Sequence, residues 1–355
     1  MENLDLKLIE QIDEMTQCLS EQTKTDLYGA SAFWETLGEK HKKIIKESGF
    51  NKFKQTINFE YFQYEVSSLR DRKILSLIVL LLKEVKIPYG MFWAEIDSLN
   101  ALKNLPKIRS DFSFKPKLYA VFMGLLWQYA LVKDHLGCLS ICDEPLVGEP
   151  IPVYYKGRLI SQDLATSTIE LNRVAQNVDM SKVKRVAEIG AGYGRFAYVT
   201  VSKYNDIEYC IFDIPPALAI SQNYLSLVMG ESNVQIFSKN KNYSNGDDQL
   251  SCRIKSFLPH QLESFPDGYF DLIVNISSFD EMNREQVENY FSLIDQKCNG
   301  FMYLKGHETK PTWCNVSGGG LAELPYKKGW KLEYTGKDPF IADFEDRIYS
   351  IHPNG

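Results

Sequence analysis

The side chains best placed for chemistry stand just past short apolar runs. Phe270–Ile276 (FDLIVNI) ends on Asn275 and Ile276, and Ser277, Asp280 and Glu281 follow it. Gly300–Leu304 (GFMYL) is followed by His307. A neutral imidazole near pH 7 can take a proton from a hydroxyl as a new bond forms. His307 is therefore the first choice of general base, with Glu281 and Asp280 as the alternatives. The two acids also suit the first turn of a helix, where carboxylates favour the positive end of the dipole. His260 follows another apolar run, but it stands beside Pro259 and is expected to be structural.

A second set of residues is shaped for binding. Arg185–Asp213 reads RVAEIGAGYGRFAYVTVSKYNDIEYCIFD. A β-rich run, Arg185–Ile189, leads into Gly190, Ala191, Gly192 and Gly194. A helix should start near Arg195, and an apolar strand, Tyr209–Phe212, ends on Asp213 and Ile214. Glycines let the backbone pass close beneath a ligand, and an acid at a strand tip can accept hydrogen bonds from both hydroxyls of a ribose. A dinucleotide fingerprint requires glycine at position 195, which is Arg195 here. The order is instead acid-x-G-x-G-x-G, with Glu188 two residues before Gly190. That order resembles the S-adenosylmethionine (SAM) turn of Rossmann-like methyltransferases. The resemblance puts Glu188 near the methionine end, the glycines and Ala191 beneath the cofactor, and Asp213 with Ile214 at the ribose. Ser256 and Phe257 would lie along the adenine edge. Asn275 and Ser277 fall beyond the carboxyl end of a central strand, where open α/β sheets bind ligands.

The elements that position these residues follow from periodicity. Residues 1 to about 145 read as helices: Leu4–Leu19, Ser31–Ser48 with Ser31 as N-cap, Asp71–Val85, and an aromatic-rich Lys115–Leu136 expected to pack in a core. Residues 49–66 read as an ordered loop, facing either the active site or the surface. Residues 143–160 read as a connector, and Ser161–Gln176 as a helix leading into the first strand. There Lys156, Arg158 and Gln162 could meet a substrate anion or the cofactor carboxylate. Beyond Asp213, the sequence predicts a helix from Pro215 to Gly230 and strands over 234–238, 253–258, 270–276 and 300–304. A closing antiparallel pair is expected at 331–334 and 347–352. Residues 239–249 and the glycines at 318–320 read as mobile loops. The fold class is α/β: a Rossmann-like sheet, mostly parallel with an antiparallel last strand, preceded by an α-helical N-terminal domain. The domains divide at 1–150 and 151–355.

Composition narrows the classes. The chain has 355 residues, and 40 basic against 46 acidic side chains leave a net charge of -6. With no basic block, a nucleic-acid backbone is not the expected partner. Seven scattered cysteines, an odd number without a C-x-x-C, read as free thiols in a reducing compartment. The longest apolar run, Ile74–Leu82, is shorter than the about 20 residues a membrane helix needs. A cytoplasmic protein, with a homo-oligomer compatible, is the expectation.

Several segments together resemble the bacterial sugar O-methyltransferase family: FKQTINFEYF (53–62), KGRLISQDLATS (156–167), VAEIGAGYGRFAYV (186–199), FDIPPALAISQNYLS (212–226), FLPHQLE (257–263) and ISSFDEMNREQVENYF (276–291). The resemblance implies methyl transfer from SAM, leaving S-adenosylhomocysteine, to a hydroxyl of a nucleotide-sugar or surface glycan. Lys156 and Arg158 would then hold a phosphate or glycan charge. Asp280, Glu281 and His307 could also hold a divalent metal, but no dense ligand motif is present and metal independence is expected. An N- or C-methyltransferase of a small metabolite, or a non-catalytic scaffold of the same fold, stays open as an alternative.

Overall fold

The computed structural model describes residues 2–21, 25–58, 66, 68–84, 95–96, 115–239, 252–310, 318–341 and 343–351. The chain forms two compact units. One is Met1–Lys43 with Val174–Asp338 and Asp343–Gly355, and the other is Ile44–Arg173 with Pro339–Ala342.

Three helices open the chain: α1 (Glu2–Ser20), α2 (Thr25–Tyr28) and α3 (Ala32–Ser48). Leu8, Ile12, Met15 and Leu19 recur at helical spacing along α1 and are buried. The Ser31 hydroxyl was expected to cap α3, but it is buried without a hydrogen-bond partner. Only its carbonyl serves the helix, accepting from Glu35 N–H at 2.8 Å.

The Ile44–Arg173 unit holds α4 (Arg72–Glu84), β1 (Glu95–Ile96), α5 (Pro116–Lys133), α6 (Cys138–Ile141), β2 (Val153–Tyr155), β3 (Arg158–Ile160) and most of α7 (Gln162–Asn177). The aromatic helix α5 is core as expected, with Tyr119, Phe122, Trp127 and Tyr129 buried. Its end is fixed by Asp134, whose carboxylate accepts the N–H groups of Cys138 and Leu139 at 2.9 and 2.7 Å. The stretch read as a connector contains a hairpin. Tyr155 pairs with Arg158, and the turn between them has φ of 50° at Lys156 and 78° at Gly157. Two positive values in succession mark the turn type whose twist matches that of paired strands. Ser161 caps α7, accepting Leu164 N–H at 3.0 Å.

The other unit is built on an eight-stranded sheet. Its elements in chain order are β4 (Arg185–Ile189), α8 (Arg195–Lys203), β5 (Glu208–Phe212), α9 (Pro215–Met229), β6 (Val234–Gln235), β7 (Ile254–Phe257), β8 (Phe270–Ile276), α10 (Arg284–Lys297), β9 (Cys298–His307), β10 (Lys331–Lys337) and β11 (Phe344–Ser350). The spatial order is β10-β11-β9-β8-β4-β5-β7-β6. β4 to β9 run parallel, and β11 lies antiparallel between β9 and β10. The chain winds outward from β4 through β5 and β7, then returns to β8 on the other side of β4. The seam between β4 and β8 is therefore the topological switch point, where such sheets open a crevice for ligands. The expected strand over 234–238 shortens to a two-residue edge strand. Phe212, Phe257, Phe265 and Phe270 form a buried aromatic cluster, with ring centroids 5.1 to 6.0 Å apart.

The N-terminal helices pack within this same unit. Asn223 on α9 donates to Gln11 on α1 at 2.7 Å, and Gln286 on α10 donates to the Gly29 carbonyl at 2.8 Å. Cys18, Cys138, Cys142, Cys210 and Cys298 are buried free thiols. The loop 240–251, Cys314 and His352 lie outside the described residues. No described helix is long and apolar enough to cross a membrane.

Candidate active site at the switch point

The site begins where β4 ends. Gly190, Gly192 and Gly194 have φ of 74°, 61° and 88°, so each takes a left-handed backbone that side chains disfavour. At Gly190 the constraint is also steric, since a Cβ there would lie 2.3 Å from the Ser278 side chain. The turn is tied to β5 through Asp213. One carboxylate oxygen accepts Gly192 N–H at 2.9 Å and the other accepts Ile214 N–H at 2.8 Å. Burial pushes the Asp213 carboxyl up to about 7, against the opposing pull of the backbone donors at Ile214, Gly192 and Ala191. These three donors do not exhaust the carboxylate, which keeps acceptor capacity for a ligand hydroxyl. Glu188 is buried and accepts the Tyr209 hydroxyl at 2.7 Å. Tyr209 stands two residues before Ile211, the direct partner of Glu188, so the contact is a cross-strand diagonal. A turn with glycine at three alternate positions, beside the buried Asp213 carboxyl, fits an adenosyl cofactor.

The β8 end meets this turn. Asn275 donates to the Ile189 carbonyl at 2.9 Å and to the Ser278 hydroxyl, and Ser278 also donates to Ile189 at 3.0 Å. The Asn275 amide, expected to face the cofactor, thus joins the two strand ends instead. Ser277 has φ of 63°, an uncommon value for a residue with a side chain and one that gathers at functional sites. Its N–H donates to the Lys305 carbonyl at 2.7 Å, which joins this bend to β9.

Asp280 and Glu281 lie in a single 3₁₀ turn, Phe279–Glu281, and not in the first turn of α10. That helix begins at Arg284 under its own cap, Asn283, which accepts Gln286 N–H at 2.9 Å. Both acids are buried. Asp280 Oδ2 lies 2.8 Å from His307 Nδ1 and accepts the His307 backbone N–H at 3.1 Å. Burial raises the Asp280 carboxyl and His307 opposes it. The His307 ring is one-fifth exposed and lies 4.3 Å from the Phe344 ring, centroid to centroid. Space for the carboxylate comes from Gly306, where a Cβ would stand 2.9 Å from Asp280 Oδ1. Glu281 turns to a different partner: Trp34 Nε1 donates to its Oε2 at 2.6 Å. Burial pushes the Glu281 carboxyl up to about 8 against that donor.

The remaining expected residues divide by unit. Phe257 belongs to the aromatic cluster, and at the strand end it offers its carbonyl, which accepts Asp213 N–H at 3.3 Å. Ser256 is buried with its hydroxyl unpartnered. His260 packs edge-on to Tyr28 with centroids 6.4 Å apart, in keeping with a structural place. Lys156, Arg158 and Gln162 belong to the Ile44–Arg173 unit. Arg158 donates to the carbonyls of Leu139 and Cys142, both at 2.5 Å, and its guanidinium lies 5.2 Å from the Trp127 ring centre. Its donors thus hold the end of α6. Lys156 reaches over the Tyr155 ring at 5.4 Å from the hairpin turn, and Gln162 is buried at the start of α7. Among the described residues, no cluster of three or more His, Cys, Asp or Glu is arranged to hold a metal. Trp34, Tyr209, Ser278 and Gly306 join the site without having been singled out in the sequence. A strand diagonal could have found Tyr209, but no local pattern marks the other three.

Residues 158–239 match the model of an O-methyltransferase domain. Comparison with curated proteins finds no match. Among solved structures, the chain is similar to a putative sarcosine dimethylglycine methyltransferase from Galdieria sulphuraria, at 12% identity, covering 54% of this chain and 86% of that one, with a TM-score of 0.40. It is similar to the mitomycin 7-O-methyltransferase MmcR at 12% identity, covering 53% and 56%, with a TM-score of 0.36. It is also similar to PigF, solved with S-adenosylhomocysteine, at 15% identity, covering 53% and 58%, with a TM-score of 0.34. The matched stretch, less than a quarter of the chain, spans the glycine turn and Asp213 and is similar there to an O-methyltransferase domain.

Proposed function

We propose that the chain methylates a hydroxyl of a saccharide, a nucleotide-sugar or a glycan unit, with His307 as general base and Asp280 holding the base in place. The observation that carries this reading is the Asp280–His307 pair at the carboxyl ends of the strands beside the glycine turn. The saccharide class is supported by the resemblance of KGRLISQDLATS and ISSFDEMNREQVENYF to sugar O-methyltransferases.

Glu188, the Gly190–Gly194 turn and Asp213 would hold the cofactor, with the Asp213 oxygens meeting the ribose hydroxyls. Bound SAM supplies a methyl group on a positively charged sulfur, already activated toward an incoming oxygen. The protein's part is alignment and proton removal. A sugar hydroxyl is a weak acid and a poor nucleophile until its proton leaves. Asp280 favours the imidazole tautomer with its proton on Nδ1, which makes Nε2 the accepting nitrogen. As Nε2 takes the hydroxyl proton, the ring becomes a cation 2.8 Å from the Asp280 carboxylate, which stabilises it.

The test is incubation with methyl-labelled SAM and a panel of the methyl glycosides of glucose, galactose, mannose and rhamnose together with UDP-glucose. The expected result is a product heavier by one methyl group on oxygen, and loss of turnover in His307→Ala. Label transfer to nitrogen or carbon only, or undiminished turnover in His307→Ala, would overturn the reading.

A further inference from the structure

The proton path above uses Asp280 and His307 and gives no role to Glu281. The two acids are consecutive in a 3₁₀ turn, in which successive side chains point about 120° apart. Asp280 faces β9, whereas Glu281 faces α3 and Trp34. Glu281 is 5% exposed, and no described cation pairs with it. A carboxyl buried without a cation is held as the neutral acid, and burial pushes this one up to about 8. The ring behind Trp34 adds no charge. His41 is buried, packs edge-on at 6.1 Å between centroids, and is pushed down to about 4 by burial, so it is neutral near pH 7. One Glu281 oxygen accepts the indole N–H, and the other has no hydrogen-bond partner among the described residues. An acid in this state donates through its second oxygen to a neutral acceptor atom, and it has no call for a cation.

We propose that Trp34 is a positioning residue for acceptor recognition: its indole N–H holds the Glu281 carboxyl so that the second oxygen hydrogen-bonds an oxygen of the acceptor next to the hydroxyl that His307 deprotonates. The assignment rests on the methyl-transfer reading above and narrows the acceptor to compounds with a neutral oxygen next to the methylated hydroxyl, a vicinal diol being the simplest. A residue of the N-terminal helices thereby sets specificity for chemistry carried out at the strand ends.

The test uses each methyl glycoside of the panel that the enzyme methylates, beside its monodeoxy analogues. In wild type, removing the neighbouring hydroxyl should raise acceptor KM by about tenfold or more. Trp34→Phe and Glu281→Ala should each raise KM for the parent glycoside by about tenfold, with kcat changed by less than about threefold and SAM affinity unchanged. Glu281→Gln, which still offers a neutral donor, should raise it less than Glu281→Ala. In Glu281→Ala the deoxy analogue should bind no worse than the parent. A wild-type enzyme indifferent to the deoxy analogues, or a deoxy penalty that persists in Glu281→Ala, would overturn the inference. The first of these needs no variant to fold. Failure to methylate any glycoside of the panel would instead count against the methyl-transfer reading itself.

Discussion

His307 offers both its ring Nδ1, at 2.8 Å, and its backbone N–H, at 3.1 Å, to one oxygen of Asp280. Two contacts from a single residue fix the carboxylate in position and the ring in angle. Replacing Asp280 with Asn keeps a carbonyl oxygen for the two contacts but removes the negative charge that stabilises the imidazolium formed when His307 takes the proton. Asp280→Asn should therefore lower kcat by about 10²-fold, and His307→Ala by about 10²- to 10⁴-fold, the range for losing general-base help. Steady-state kinetics should show SAM KM little changed in both.

Gly306 makes room for this pair. An added Cβ would come within 2.9 and 3.1 Å of the two Asp280 carboxylate oxygens. Gly306→Ala should displace the carboxylate and lower kcat by about tenfold, while SAM affinity stays within about twofold because the glycine turn is untouched. A variant with full kcat would show that the Asp280 position is not critical.

The glycine turn and the two strands that flank it were legible because their signals are local. Alternate glycines, an acid two residues earlier and another at the next strand tip need only the chain between 188 and 213. The apolar runs at 270–276 and 300–304 likewise found their strands. The partnership of Asp280 with His307 was not legible, although both residues stood out. It depends on the register that pairs Ile276 with Lys305 and on a 3₁₀ turn that no periodicity marks. Trp34 was hidden for a different reason: an indole at one end of the chain meets Glu281 only through tertiary packing. Asn275 and Arg158 look like ligand-binding groups from their types. Their donors instead satisfy backbone carbonyls at strand and helix ends, a need that appears only once those ends exist.

Gly190→Ala would force a side chain onto a backbone with φ of 74° and into contact with Ser278 at 2.3 Å. It would also disturb the Ser278 and Asn275 bonds to Ile189. We expect a loss of about 1–3 kcal/mol, read as a lower Tm, together with weaker SAM binding. Adding Ser278→Gly should recover part of the stability by removing the contact, but not the part due to φ.

Stability should depend on pH through buried acids. Asp213 is raised from 3.8 to about 7, and Glu281 from 4.5 to about 8. Between those limits the folded protein keeps protons that the unfolded chain releases. The stability they confer is complete below about pH 4 and is lost as pH rises to 8. Denaturant titrations of the ligand-free protein should give a lower unfolding free energy at pH 8 than at pH 5, and Asp213→Asn and Glu281→Gln should each flatten the slope. SAM affinity should run the other way, strengthening as pH rises through about 7, because ionised Asp213 is the better acceptor for ribose hydroxyls.

The most direct measurement is calorimetric titration of SAM and S-adenosylhomocysteine into the wild-type protein and into Asp213→Ala and Asp213→Asn. The account predicts saturable binding of both ligands to wild type, weakened at least about tenfold in each variant through loss of a charge-assisted contact. No binding by cofactor-free wild-type protein, or equal binding by all three, would contradict it.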